Sequence, residues 1–270
     1  MEFYILKSLK IAVITQDDKY AIPRNLKLLC DTDWIDISEV ILINAEGSLE
    51  NKKWLFMKGF GLRQTIRMGL TALIFDFRSF AADSFGLLGK SEWLGLRGLC
   101  SLYEIPFGKE NDVNDEEFVK RLKRNKLDVV ISFSAPTVFK GDLLNSARFG
   151  CINLHCSALP SYAGVLPSFW TLLNDEKKVG VSVHLMDSKI DNGAVLEQTM
   201  VDISSMDNMF DVIRATKLCG GHAMLNVLGY IQANGKLPNP VDTAHNKHSY
   251  FSWPKVEDIK QFVARGKKLI

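Results

Sequence analysis

Two polar residues interrupt the apolar run Gly150-Cys-Ile-Asn-Leu-His155 with side chains capable of acid–base work. Side chains alternate along a strand, so Asn153 and His155 share one face near the C-terminal end of the run. An amide beside an imidazole offers a hydrogen-bond donor and a proton shuttle. The next segment, Cys156-Ser-Ala-Leu-Pro-Ser-Tyr-Ala-Gly164, is punctuated by proline and glycine and reads as a loop walling a cleft. Further on, Asp191-Asn-Gly193 lies between an alternating run and the apolar Ala194-Val-Leu196. A carboxylate there could return to the same cleft, but Asp before Asn-Gly is also ordinary turn chemistry, and residue types alone leave both readings open.

Further reactive side chains point less clearly to a site. In isolation His155 would read as a core histidine, and His184 reads as structural or as support for the site. Cys219 and His222 fall three apart on a helix, but no further ligand pair has matching spacing, so no metal is assigned. Cys156 would need a separate base to act as a nucleophile.

The elements that must position these residues follow from hydrophobic pattern. Ile11-Ala-Val-Ile-Thr, Val40-Ile-Leu-Ile-Asn, Val129-Val-Ile-Ser-Phe and Cys151–His155 are short apolar strands. Helical patterns lie between them, with Ile22, Leu26 and Leu29 on one face and Phe118, Val119 and Leu122 inward on Glu116–Lys126. This order predicts an α/β fold with a mostly parallel, Rossmann-like sheet and helices on both faces. Open sheets of this kind bind ligands beyond the carboxyl ends of their strands. After Gly180 the alternation of Val181, Val183 and Leu185 with Ser182, His184 and Met186 predicts a half-buried, antiparallel strand. Asp207 is expected to cap a helix that Gly220-Gly221 interrupts and Asn234-Gly235 ends. The stretch from about Lys52 to Leu102 holds Trp54, Phe56, Phe60, Phe75, Phe77, Phe80, Phe85 and Trp93. It is expected to be a helical insertion packed as core and lid on or beside the sheet, or else an exposed aromatic patch for a dimer partner or a membrane surface.

The pattern Asn153-x-His155-x-Ser157-x-Leu159-Pro160-x-Tyr162-x-Gly164, followed by Gly180-Val-Ser-Val-His184 and Asp191-x-Gly193, resembles the 10-formyltetrahydrofolate-dependent formyltransferases. That family includes glycinamide ribonucleotide transformylase, methionyl-tRNA formyltransferase and the nucleotide-sugar N-formyltransferases. The resemblance covers about Ile11 to Gln232 and is densest between Val129 and Leu196. It implies the formyltransferase fold and a catalytic set of Asn153, His155 and Asp191. An acceptor amine would attack the formyl carbon, Asn153 and protonated His155 would stabilise the oxyanion, and Asp191 would orient the imidazole. No metal is implied. The co-substrate, 10-formyltetrahydrofolate, would be held largely by backbone, on segments here matched by Phe133, Ser134, Ala135 and Val138 and by Asp187 and Ile190. The sequence departs from the family's pattern at Cys156, where Pro or Gly is common, and in Ser157-Ala-Leu-Pro160, so the loop wall is its own.

The tail, Ser249 to Lys267, is similar to the ends of nucleotide-sugar N-formyltransferases, where a comparable segment often joins subunits. The resemblance therefore implies a homodimer acting on a nucleotide-linked amino sugar for glycan or polysaccharide synthesis. Ser157, Tyr162, Phe169 and Trp170 are expected to line the acceptor site. The division expected is a catalytic domain over 1–236 and a C-terminal extension over 237–270. A tRNA-acting enzyme of this family would carry a second, basic domain. A formyltetrahydrofolate hydrolase and an inactive binding module are the remaining rival readings.

Charge and composition fit this reading. Lys plus Arg is 33 and Asp plus Glu 31, a net charge of +2, which is a poor electrostatic footprint for nucleic acid. Hydrophobic residues make up 47% and charged residues 24%, which excludes disordered and collagen-like classes. Five scattered cysteines without a Cys-x-x-Cys pair are expected to be reduced thiols in a cytoplasmic protein. Met1 to Lys10 lacks the pattern of a signal peptide, and Asp76, Arg78 and Asp83 make a bilayer span through Met68–Leu88 improbable.

Overall fold

A computed structural model describes residues 7–18, 21–43, 50–85 and 94–270, with side chains of the long insertion helix described from 54 to 81. The expectations for the extreme N-terminus, the Phe85 side chain and Trp93 fall outside these residues. Strands β1 (Leu9–Thr15), β2 (Ile35–Ile43), β3 (Phe107–Glu110), β4 (Val129–Phe133), β5 (Cys151–His155), β7 (Lys178–Leu185) and β8 (Val195–Asp202) form one sheet in the order β3-β2-β1-β4-β5-β7-β8. Pairing is parallel from β3 to β5 and antiparallel beyond it. The chain winds outward from β1 through β2 to β3, then returns to place β4 and β5 on the other side of β1. The β1/β4 boundary is therefore the switch point where such sheets open toward ligands, and the Thr15 hydroxyl donates to the Phe133 carbonyl across it.

Register explains how the sheet presents polar side chains. Ile152, Leu154, Val181 and Val183 face a core shared with α1 (Ile22–Cys30), α3 (Leu96–Leu102) and α7 (Met209–Asn234). Cys151 lies on the opposite face, in the core formed with α4 (Glu116–Arg124) and α5 (Gly141–Leu144). Continuing along that face, Asn153 pairs with His184 and His155 with Ser182. Loops rather than a helix cover these four.

Several expectations change here. β7 is buried along nearly its whole length, Ser182 and His184 included, because α7 covers one face and the site loop the other. Asn208, not Asp207, caps α7 by accepting from the Asp211 N–H, while Asp207 pairs with Lys268. Gly220 and Gly221 do not interrupt α7. A Cβ at Gly220 would lie 2.5 Å from Leu154, and one at Gly221 2.6 Å from the Asn25 amide oxygen, so the glycines admit β5 and α1 to the helix. Gly235 ends α7 as expected, at φ +63°.

The insertion is helical but largely not core. Helix α2 (Glu50–Phe85) breaks at Gly61, where φ is +77°. Before the break Phe56 and Phe60 are buried and stack at 5.7 Å, and Phe60 meets the Phe262 ring of α8 (Val256–Ala264) edge-on at 5.8 Å. Beyond it Phe77 and Phe80 are exposed, while Gln64, Met68 and Phe75 contact the body of the protein among the described residues. No helix among the described residues is long and apolar enough to cross a membrane.

The C-terminal residues are woven into the sheet's loop layer. Strand β9 (Tyr250–Phe251) pairs with β6 (Ala163–Gly164) in the loop after β5, and the Val241 N–H donates to the Val195 carbonyl.

Candidate active site

The turn between β7 and β8 folds back so that Asp191 meets the end of β5. One Asp191 carboxylate oxygen, Oδ2, accepts from the Gly164 N–H at 2.8 Å and lies 3.5 Å from His155 Nδ1. The second, Oδ1, lies 3.7 Å from His184 Nε2. His155 Nε2 donates to the Tyr162 carbonyl at 3.1 Å. Acceptors thus face both ring nitrogens of His155, and the imidazolium is the form that donates to both.

His184 is fixed in the opposite state. Its Nδ1–H donates to the Leu185 carbonyl at 2.8 Å, which leaves Nε2 to accept from the Asn153 amide at 3.1 Å. Burial, then the nearby His155, holds His184 below its ordinary value of 6.5, and so neutral. A neutral acceptor at that position orients the Asn153 carboxamide, with its NH2 toward the imidazole. Sequence reasoning gave His184 a supporting place, and the structure puts it in contact with two of the three expected catalytic residues. Its parity with Ser182 on an alternating strand was the available signal.

The site loop is built from uncommon backbone. Tyr162, Leu166 and Asp191 all take positive φ, at 55°, 53° and 51°. Such conformations cost about 1–3 kcal/mol each and persist where surroundings over-determine them. Around Tyr162 the C-terminal residues and Gln198 of β8 do so. Tyr162 and Ala163 donate their N–H groups to the Ser249 hydroxyl and carbonyl, and the Ser249 N–H donates to the Pro160 carbonyl. Gln198 and Asn246 both donate to the Leu159 carbonyl. None of these holding residues was found from sequence, since the contacts of Ser249 and Asn246 cross more than eighty positions in the chain. A Cβ at Gly164 would lie 2.2 Å from the Phe251 carbonyl, and one at Gly193 1.9 Å from the Leu185 carbonyl, which makes both glycines requirements of close backbone approach.

The expected acceptor residues divide. Tyr162 stacks on Phe251 at 5.2 Å and Phe251 on Trp170 at 4.8 Å, giving an aromatic shelf beside the loop. The Tyr162 hydroxyl donates to Glu176, and burial, then that bond, pushes the phenol up to about 12. Two residues are corrected. Phe169 points into the core, stacked on Phe262 at 4.7 Å, and Ser157 is fully buried with its hydroxyl donating to the Ser161 carbonyl. Both brace the loop and neither side chain faces a cleft.

Of the residues expected near the co-substrate, Phe133 is a core side chain at the end of β4, and Ser134 follows with φ +55° and receives a hydrogen bond from Lys217. The Val138 carbonyl accepts from Asn114, which pins the strand-end loop that also carries Ala135. Asp187 closes its own turn by accepting from the Lys189 N–H and the Asn192 amide, and Ile190 is exposed. Burial raises the Cys156 thiol above its ordinary value, with Lys217 opposing, which suits packing rather than nucleophilic attack. Among the described residues no group of three His, Cys, Asp or Glu side chains could hold a metal. The cysteines are all free.

Comparison with known proteins points to a family. Residues 99–228 match the family model described as formyl transferase. The bifunctional polymyxin resistance protein ArnA of Wigglesworthia glossinidia brevipalpis is 32% identical over 156 residues, covering 55% of this chain and 22% of that protein. A methionyl-tRNA formyltransferase of Trichormus variabilis is 28% identical over 150 residues, covering 55% of this chain and 45% of that one. This chain therefore matches less than half the length of either relative. Among solved structures, the N-formyltransferase of Helicobacter canadensis in complex with folinic acid and dTDP-3-aminofucose superposes with a TM-score of 0.55 at 16% identity, over 94% of this chain and 79% of that one. At that identity the likeness is one of fold.

Proposed function

The chain belongs to the formyl transferase family, and from that premise we propose that it moves the formyl group of 10-formyltetrahydrofolate onto the amino group of a nucleotide-linked amino sugar. The observation that carries the reading is the convergence of Asn153, His155 and Asp191 at one loop-covered strand end. In this reading the Asn153 amide and the His155 imidazolium donate to the oxygen of the formyl group as negative charge develops there. The amine nitrogen bonds to the formyl carbon. As the tetrahedral adduct collapses, the bond to the folate nitrogen breaks and His155, its Nε2 turned from the Tyr162 carbonyl to the substrate, gives its proton to that leaving nitrogen. The neutral ring then takes up the proton lost by the amine, while Asp191 holds the ring and balances its charge. Neutral His184 keeps the Asn153 amide turned the right way. The fit to a folate rests on the irregular backbone of the segments after β4 and after β7.

The acceptor class is proposed from the aromatic shelf of Tyr162, Phe251 and Trp170, and from the fold shared with an enzyme solved with an amino-sugar nucleotide. Under the same proposal the enzyme is a cytoplasmic homodimer serving surface-glycan synthesis. The test is a panel of amino-sugar nucleotides incubated with 10-formyltetrahydrofolate, with products read by mass spectrometry. A formylated sugar nucleotide formed together with tetrahydrofolate is the expected result. Formylation of charged initiator tRNA with every sugar inert, or formate release without any acceptor, would overturn it.

A further inference from the structure

The second half of α2 carries its large apolar side chains on the wrong side for a core helix. Leu62, Ile66, Leu70, Leu73, Phe77 and Phe80 are all exposed, Leu62 at 67% and Phe77 at 73%. At about 100° per residue the six fall within an arc of about 80°, one continuous stripe. The side that meets the protein is the opposite one, where Phe75 contacts Phe210 and Gln64 accepts from the Leu269 N–H. Propensity does not require six large apolar residues on a solvated face, and isolated apolar exposure is ordinary where a stripe of this length is not.

Charge identifies what covers the stripe. Between Trp54 and Phe80 the chain places Lys58, Arg63, Arg67 and Arg78 against the single acid Asp76, a local charge of +3 within a protein of +2. Arg63 and Arg67 are exposed along one edge of the stripe. A second copy laid antiparallel on this stripe would set one arginine edge against its counterpart. An anionic lipid surface meets the apolar stripe and the basic edge together. We infer that α2 is an in-plane membrane anchor, its stripe seated at the headgroup and acyl boundary of an anionic bilayer and its arginines on the phosphates. The absence of a spanning helix among the described residues fits a helix that lies on the membrane. The break at Gly61 divides the labour, since the part before it is fastened to α8 through Phe60 and Phe262 and the part after it is left to face outward.

The experiment is flotation of the full chain with vesicles of phosphatidylcholine, with and without phosphatidylglycerol, at low and high salt. Wild-type protein should float with the anionic vesicles and release in high salt. Leu70→Glu with Phe77→Glu should abolish flotation while the thermal midpoint holds. Arg63→Gln with Arg67→Gln should lose the anionic preference, on the order of tenfold or more in partitioning. Wild-type protein that ignores both vesicle types overturns the inference, as does flotation indifferent to the two glutamates. Light scattering is run alongside; a dimer that the glutamates split, without lipid binding, would assign the stripe to a second copy and overturn the inference equally. None of these readouts depends on formyl transfer.

Discussion

At the end of β5 the polar side chains Asn153, His155, Ser182, His184 and Asp191 are largely withdrawn from solvent, and each has a partner. Along the second half of α2, large apolar side chains stand in solvent. Both regions depart from the rule of apolar inside and polar outside. The first departure is compensated bond by bond: among the described residues the buried polar atoms without a partner belong to Asn25 and Ser146, neither of them in the site. The second leaves side chains such as Leu62 and Phe77 exposed among the described residues. A buried polar network that is satisfied points inward to chemistry, whereas an unsatisfied apolar face points outward to something that must cover it.

The contrast can be broken most severely at β5. Asn153→Ala and Asp191→Asn should each lower the rate of formyl transfer by about a hundredfold or more, with the folded state kept, measured as turnover beside circular dichroism. Within α2 the two sides of the break should separate. Phe60→Ala removes a buried ring and should cost about 3 kcal/mol in chemical denaturation. Phe77→Ser, on the outward stripe, should stay within about 0.5 kcal/mol of wild type. A comparable loss from both would mean that the stripe is core after all. Between these lies Gly193→Ala, whose Cβ meets the Leu185 carbonyl, expected to cost about 1–3 kcal/mol and to displace Asp191.

The smallest effect is a dependence on pH. His184 sits below 6.5 in the fold, chiefly because it is buried, so the unfolded chain binds more protons as pH falls under that value. Stability should therefore drop as pH falls from about 7.5 to about 5.5, and His184→Gln should flatten that slope in thermal melts. Carboxylates held below 3.8, such as Asp175 and Asp207, act at lower pH and should leave this window alone.

Much of this was legible in the residues. β1 and β4 are nearly continuous apolar runs because both faces are covered, and the spacing of Asn153 and His155 on β5 gave their common face. β3 was missed because Phe-Gly-Lys-Glu is short and mixed, as an edge strand tolerates. The β6 and β9 pair joins residues more than eighty positions apart, and nothing local encodes it. For α2 the helical period was readable, but period alone does not say which side faces the protein. Gly220-Gly221 misled because glycine's low helix propensity hides its use in close packing. Phe169 misled in the same way, since an aromatic beside a cleft and an aromatic beneath it look alike in sequence.

Everything proposed for the site turns on His155, held by Asp191 and Tyr162, carrying the proton in a formyl transfer. The most direct measurement compares wild type with His155→Ala, following tetrahydrofolate release and formylated amino-sugar nucleotide together under saturating substrates. Both products should disappear in the variant to about a thousandth of wild type while the melting curve is unchanged. Near-normal turnover in His155→Ala would contradict that role.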